Sequence, residues 1–319
     1  MAGPVPELEA RAAACAAALR AADSVLLVSH IDADGLTSAA IASQALSRAD
    51  ITHEVAFENQ LDADAIAEIA TRDFSTVLFT DFGSGQLDII TEYAAEGAFT
   101  PVVCDHHRPA DADIDYHLNP LLEGLDGATE LSGAGTTYVL ARALETDEGA
   151  NRDLAGLAVV GAVGDMQDST GELVGANRGV VAEGSAAGVL RETTDLAVYG
   201  KQTRPLPKLL EYADDVRIPG ITGSERGATG FLSDLDIELD GADGWRRWVD
   251  LSESERRRVA SGLLQRAVSR GVPADRIDEL VGTTYSLTNE PAGTELRDAS
   301  EFSTLLNATA RYDRADVGL

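Results

Sequence analysis

Ser24-Val-Leu-Leu-Val-Ser29-His30-Ile-Asp32-Ala-Asp34-Gly35 is the stretch that decides how this chain folds. Val25 to Val28 form an apolar run too short for a buried helix and suited to a strand covered on both faces. The character then changes at once, to an imidazole and two carboxylates at alternate positions, followed by a glycine. In extended backbone alternate residues share a face, so His30, Asp32 and Asp34 are expected to converge while Ile31 and Ala33 pack elsewhere. Gly35 permits a sharp turn into the next helix, whose free amides favour an anion. The plainer reading is a turn in which Asp34 only caps that helix. An EF-hand is excluded, because the glycine comes too early and no glutamate closes the loop.

Upstream, residues 7–21 read as an amphipathic, Ala-rich helix that includes Leu8 and Leu19 and breaks at Asp23-Ser24. Downstream, helices near 36–48, 62–72 and 86–96 alternate with strands near 52–57, 76–80 and 101–104. This alternation predicts an α/β fold, a parallel sheet of approximately five strands flanked by helices. After Asn119-Pro120 the pattern turns helical, near 134–146, 152–163 and 175–190, closing a first domain. From about residue 191 Pro205, Pro207, Pro219 and Gly220 punctuate shorter helices. The Ser-Glu-Ser-Glu-Arg-Arg-Arg run opening a helix at 252–268 reads as a solvated face and not a nucleic-acid stripe. A last helix covers 298–310. The expected division is a catalytic domain at 1–190, a helical connecting region at 191–297, and the beginning of a further domain at 298–319.

The chain of 319 residues carries 25 Lys+Arg against 54 Asp+Glu, a formal net charge of -29, with 44% hydrophobic residues. So much apolar material builds a core, which excludes intrinsic disorder despite the charge. No apolar stretch approaches the roughly 20 residues of a membrane helix and no secretion signal is evident, so a cytoplasmic protein with no membrane partner is expected. Cys15 and Cys104 cannot make a disulfide framework or a zinc knuckle and read as buried reduced thiols. An acidic chain ordinarily disfavours a polyanionic substrate. Here, however, lysine is confined to Lys201 and Lys208 while Asp, Glu, Ala and Gly are abundant throughout. That pattern suits a proteome adapted to high salt, where self-repulsion is screened to within about 3 Å at 1 M ionic strength. The net charge therefore speaks of habitat more than of substrate.

Three further polar clusters fall at the ends of apolar segments, where ligands bind in an open parallel sheet. Asp81 ends Val77-Leu78-Phe79-Thr80, Asp105-His106-His107 follows Val102-Val103-Cys104, and Asp165 ends the run Leu157–Val163 through Gly164. In extended backbone His106 and His107 point opposite ways, so at most one is a direct ligand and the other is free to act on substrate. Carboxylates and imidazoles without thiolates suit Mn²⁺, with Mg²⁺ also admissible, and argue against structural Zn²⁺. Six such ligands exceed the needs of one ion, and two ions about 3.5–4 Å apart bridged by a shared Asp would use them all. Neither a G-x-x-x-x-G-K-[ST] loop nor a G-x-S-x-G elbow is present.

His-Ile-Asp-Ala-Asp-Gly, the strand-end Asp81, Asp-His-His and Gly164-Asp165 resemble, in order, the four motifs of the DHH phosphoesterase family. Asn119-Pro120, Ser132-Gly-Ala-Gly135 and Glu301-Phe-Ser-Thr-Leu-Leu-Asn307 resemble the archaeal RecJ-like nucleases, including the GINS-associated nuclease, here of haloarchaeal character. The resemblance implies that His30, Asp32 and Asp81 hold one Mn²⁺ and that Asp34, Asp81, His106 and Asp165 hold the other, with Asp81 as bridge. It implies that Asp105 orients an imidazole or the nucleophilic water and that His107 contacts the scissile phosphate or assists the leaving oxygen. His53 and His117 match no ligand motif and read as structural, and Arg108 as ordinary surface. The family's C-terminal substrate-binding domain, with its Gly-Gly-His element, is matched only at its beginning, so 298–319 is expected to be a truncated DHHA1-like domain.

The implied activity is a Mn²⁺-dependent exonuclease on single-stranded DNA or RNA, 5′→3′ by resemblance alone, serving DNA repair or replication. Two rivals stand beside it. One is hydrolysis of short oligonucleotides or cyclic dinucleotides. The other is a replisome scaffold that resembles Cdc45 and binds GINS within the replicative helicase complex.

Overall fold

The computed structural model describes residues 3–213, 216–241, 244–312 and 314–319. They divide into two compact units, Met1–Arg191 with Ser303–Leu319, and Glu192–Phe302.

The first unit is built on five parallel strands: β1 (Val25–His30), β2 (His53–Glu58), β3 (Thr76–Thr80), β4 (Thr100–Cys104) and β5 (His117–Leu118). They lie in the order β2-β1-β3-β4-β5. Helices flank them, namely α1 (Glu9–Ala21), α2 (Ala33–Arg48), α3 (Ala63–Ala70), α4 (Leu87–Ala95), α5 (Gly133–Ala143), α6 (Ala155–Gly164) and α7 (Asn177–Ala186). The expected parallel α/β sheet is therefore present. β1 and β3 are buried along nearly their whole length, as central strands covered on both faces must be. Leu26, Val28, Val77 and Phe79 from these strands join Ile66, Leu87 and Ile90 from the helices in one core cluster. Register runs Val25↔Thr76 to Ser29↔Thr80 and Thr76↔Thr100 to Thr80↔Cys104, so three adjacent strands end at one level. His30, Asp81 and Asp105 leave the sheet side by side at that carboxyl rim, where β1, β3 and β4 stop.

The loop beyond β3 is tied to β5 by a network of buried side chains. Asn119 Nδ2 donates to Ser84 Oγ at 2.9 Å and to the His107 carbonyl at 2.8 Å. Ser84 Oγ also lies 2.9 Å from His117 Nε2 and is hydrogen-bonded to it. Both the expected structural role of His117 and the prominence of Asn119-Pro120 find their physical content in this chain of bonds. His53 likewise bonds within its own surroundings, to Ser43 Oγ at 2.8 Å and the Ile51 carbonyl at 3.1 Å. Cys15 and Cys104 are buried free thiols, and burial pushes Cys15 up to about 12.

The second unit has its own core, in which Leu206, Leu209, Phe231, Leu232, Trp248 and Leu263 pack together. It contains α8 (Leu206–Glu211), α9 (Glu225–Asp234), α10 (Glu253–Ser269) and α11 (Ala274–Asp278). In the charged helix α10, Arg256 donates to the Trp248 and Val249 carbonyls and Arg257 pairs with Glu253. Those arginines are spent within the unit. No helix among the described residues is long and apolar enough to cross a membrane.

Burial, the first cause, together with the repelling Arg11, pulls His117 down to about 4, below its ordinary 6.5. A depressed histidine stabilises the fold above its unfolded pKa, and that contribution is lost as pH falls from 6.5 toward 4, up to about 3 kcal/mol in all. Nitrogen-detected NMR titration of the His117 ring should find it neutral at pH 6. Protonation with a midpoint near 6.5 would mean that burial does not disfavour the charged ring.

Candidate metal centre

Six side chains meet at the rim. His30 Nδ1 lies 3.0 Å from Asp32 Oδ2 and 3.6 Å from Asp81 Oδ2. His106 Nε2 lies 3.3 Å from Asp81 Oδ1 and 3.7 Å from Asp34 Oδ2, and Asp165 Oδ2 is 3.8 Å from the other His106 nitrogen. One donor atom from each of His30, Asp32 and Asp81 falls within 4.8 Å of the others, and the same holds for Asp34, His106 and Asp165. The two carboxylate oxygens of Asp81 thus face different partners, Oδ2 toward His30 and Oδ1 toward His106.

The convergence is not achieved as the alternation of a strand would achieve it. β1 ends at His30 and α2 begins at Ala33, with Asp32 as its cap, Oδ1 accepting from Gly35 N at 2.9 Å. Asp34, expected either on the strand face or as the cap, sits instead in the first turn of the helix and is aimed inward by helical geometry. Asn307 Oδ1 accepts from Ala33 N at 2.9 Å and ties down this same turn. The Asp105-His106-His107 segment also lies beyond its strand, and the rings of His106 and His107 stand 4.2 Å apart. The expected opposition of two strand neighbours does not apply there, and both imidazoles reach the rim.

Backbone donors hold each carboxylate. Asp34 accepts from Gly133 N at 2.7 Å and Ala134 N at 2.9 Å, at the N-terminus of α5 where orphan amides and the helix dipole favour an anion. Ser132 caps that helix, Oγ accepting from Gly135 N. A Cβ on Gly133 would lie 2.4 Å from Asp81 Oδ1, so only glycine allows this close approach. Asp105, fully buried, accepts from Ser84 N at 2.9 Å, His106 N at 2.7 Å and His107 Nδ1 at 2.8 Å. His106 Nδ1 lies 2.7 Å from the Gly127 carbonyl, which can only accept, so this nitrogen carries the proton and Nε2 is left to face Asp81 and Asp34. The sequence reading missed the parts played by Ser84 and the Gly127 carbonyl, because neither carries a ligand-type side chain.

Charge crowding leaves its mark on the titrations. Burial first, then the neighbouring Asp81, pushes Asp34 well above the usual carboxylate range, and burial raises Asp165 as well. Burial by itself would lower His30 and His106, but the carboxylates beside them, Asp32 and Asp81 for the first and Asp81 and Asp34 for the second, outweigh it and lift them to about 10 and about 11. Asp105 goes the other way, since bonds from His107 overcome the burial that would raise it. These are the shifts of carboxylates and imidazoles crowded together in a buried cluster.

Asp81 shows that a metal suits the cluster. It is buried, its backbone sits at φ 61 in the left-handed region, and its Oδ1 has no hydrogen-bond partner. A buried polar oxygen with no hydrogen-bond partner is costly, and such strain persists where the surroundings over-determine it. Four carboxylates, Asp32, Asp34, Asp81 and Asp165, balance the charge of two divalent cations with both imidazoles neutral. The donor set of oxygens and imidazole nitrogens fits Mn²⁺ or Mg²⁺.

Residues 24–162 match the DHH family, N-terminal domain, and residues 198–281 match the DHH-CID domain. An uncharacterized protein of Methanocaldococcus jannaschii is 27% identical over 303 residues, which cover 92% of this chain and 63% of that protein. The chain therefore spans less than two thirds of this curated relative. Among solved structures, Cdc45 from Entamoeba histolytica matches with a TM-score of 0.65 at 12% identity, covering 98% of this chain and 65% of its own. RecJ in complex with Mn²⁺ from Thermus thermophilus matches with a TM-score of 0.48 at 19% identity, covering 99% and 38%. The Cdc45 likeness shows a shared fold, and the two domain matches support DHH family domains in this chain.

Gly133→Ala should weaken Mn²⁺ binding on the order of 10- to 100-fold, as loss of a supporting group at a metal site does, while leaving the melting temperature of the metal-free chain within a few degrees. Calorimetric titration with Mn²⁺ beside thermal melts checks this. Unchanged affinity would mean that Asp81 has room to move.

Proposed function

Starting from a chain with DHH family domains at 24–162 and 198–281, we propose that it is a Mn²⁺-dependent phosphodiesterase acting as an exonuclease on single-stranded DNA or RNA, 5′→3′ by family resemblance. The observation that carries this reading is Asp81, with one oxygen turned to the His30-Asp32 side and the other, unpartnered, to the side of Asp34, His106 and Asp165. In this reading the first group would hold one ion and the second another, with Asp81 contributing to both. Two such ions supply Lewis acidity for the attacking water and charge to offset a phosphodiester.

The chain's own residues supply the rest. His107 is half-exposed and its Nδ1 is bonded to the buried Asp105 carboxylate, which raises its pKa and fixes the ring with Nε2 outward. As imidazolium it donates a proton to the leaving oxygen or a hydrogen bond to the phosphate. Asp105 acts on that ring and on the His106 backbone without reaching the reacting atoms. A cavity of about 600 Å³ adjoins the centre, with His30, Asp81 and His107 in its lining together with Leu61, Phe82 and Ile89. An apolar wall beside a phosphate-binding centre suits a nucleoside of the substrate.

The same cavity favours a second reading, in which the substrate is a short oligonucleotide or a cyclic dinucleotide that the cavity holds with no long binding groove. A third reading is a Cdc45-like scaffold, with GINS of the replicative helicase as the partner to test. In it the metal centre is dispensable and partner binding is the function. By the same resemblance, residues 1–190 form the catalytic domain and 191–297 the connecting region, while residues 303–319 group with the first unit.

With Mn²⁺, wild-type protein should degrade a 5′-labelled single strand, and Asp81→Asn or His106→Ala should lower the rate on the order of 10³-fold while leaving the fold intact. His107→Gln should retain Mn²⁺ binding and lose about 10²-fold in turnover. Rates on a dinucleotide and a cyclic dinucleotide, run beside the long strand, decide between the first two readings. Wild-type turnover in Asp81→Asn would overturn the site, and a wild-type chain inactive on all three substrates would leave the scaffold.

A further inference from the structure

Asp165 is the most exposed of the carboxylates in its group, its side chain 33% accessible against 3% for Asp34 and 2% for Asp81. Where Asp34 has two backbone N–H donors to hold it, Asp165 is held by a neighbour two residues along the chain. Gln167 Nε2 donates to Asp165 Oδ2 at 3.0 Å and to the Gly127 carbonyl at 2.9 Å. That carbonyl is the acceptor that fixes the His106 ring. One amide nitrogen thus touches both the carboxylate of Asp165 and the group that orients His106.

The amide cannot turn round. Asn177 Nδ2 donates to Gln167 Oε1 at 2.7 Å, which commits the oxygen to that side and the nitrogen to the other. Asn177 is itself anchored, its backbone N–H bonded to the Glu130 carbonyl at 2.7 Å, and both amides are buried, Gln167 at 3% and Asn177 at 2% exposure. The backbone brings Gln167 back toward the rim through Met166, which stands at φ 57, with Gln167 N bonded to the Ala162 carbonyl at 3.0 Å. Gly127 approaches so closely that a Cβ there would lie 2.1 Å from the His106 carbonyl oxygen.

No bond from this relay reaches His30 or Asp32 among those described. The network therefore serves one half of the centre and not the other. We propose that Gln167 is a positioning residue that holds Asp165 and His106 in register for the ion on their side of Asp81. The inference rests on the two-ion reading above and adds an asymmetry to it: the two ion positions respond differently to a change at residue 167.

The test is Mn²⁺ binding by the whole chain, followed by calorimetry and by the electron paramagnetic resonance of free, singly bound and coupled Mn²⁺, with melting of the metal-free protein alongside. Wild type should take up two ions and show the coupled signal. Gln167→Met keeps the volume and loses the donors. It should bind one ion near wild-type affinity and the second about 10- to 100-fold more weakly, with the coupled signal lost at limiting metal. Asn177→Asp leaves Gln167 in place but removes the donor to its Oε1, which turns the amide round and aims its oxygen at two acceptors. The same selective loss is expected. Two ions bound as tightly as in wild type in both variants, or a parallel fall in both affinities tracking a lower melting temperature, would overturn the role of Gln167. A wild-type chain that binds no pair of ions would overturn the two-ion reading itself, and Gln167's role with it.

Discussion

Burying a carboxylate at the centre of a sheet rim, among other carboxylates, is the constraint that organises this structure. Like charges about 4 Å apart repel by about 4 kcal/mol at an effective dielectric near 20, and removal from water adds to that cost. Asp81 bears both penalties, in a left-handed backbone conformation and with one oxygen lacking a hydrogen bond. The surrounding fold is arranged to hold it there. The core under β1 and β3 fixes the level of the rim, and the α5 N-terminus approaches close enough that Gly133 admits no side chain.

Rigid elements and not long side chains do most of the holding. The Asp34 carboxylate rests on helix amides, Asp105 on three N–H groups from its own loop and its neighbour's, and His106 on a backbone carbonyl. Backbone donors cost little conformational entropy to order, so the anions are preorganised before any cation arrives. Half-exposed His107 is the contrast. It is anchored to Asp105 through one nitrogen and lines the cavity beside the centre.

Much of this was legible in the residues. Short apolar runs ending in Asp or His marked β1, β3 and β4, and strand alternation with helices implied the parallel sheet. The six residues gathered at the rim are the six that the motifs picked out. The local geometry was not legible. Treating His30, Asp32 and Asp34 as one strand face failed because α2 starts at Ala33, and a helical turn aims Asp34 by a different periodicity. The pair His106-His107 escaped strand alternation for the same reason, lying past the end of β4. Residues 303–319 belong with the first unit, where Asn307 bonds the turn that carries Asp32 and Asp34.

What the amino-acid order determined alone was chemistry and sequence position: which oxygen and imidazole groups occur, that they follow apolar segments, and, for those that follow strands, that they share one end of a parallel sheet. That much follows because period and hydrophobicity are local properties of the chain. Only the tertiary structure decided which oxygen of Asp81 faces which partner, that Ser84 links Asn119 to His117, and that Gln167 spans Asp165 and the Gly127 carbonyl. Those relations join residues far apart along the chain, through backbone carbonyls and amides that every residue carries, so no residue type announces them.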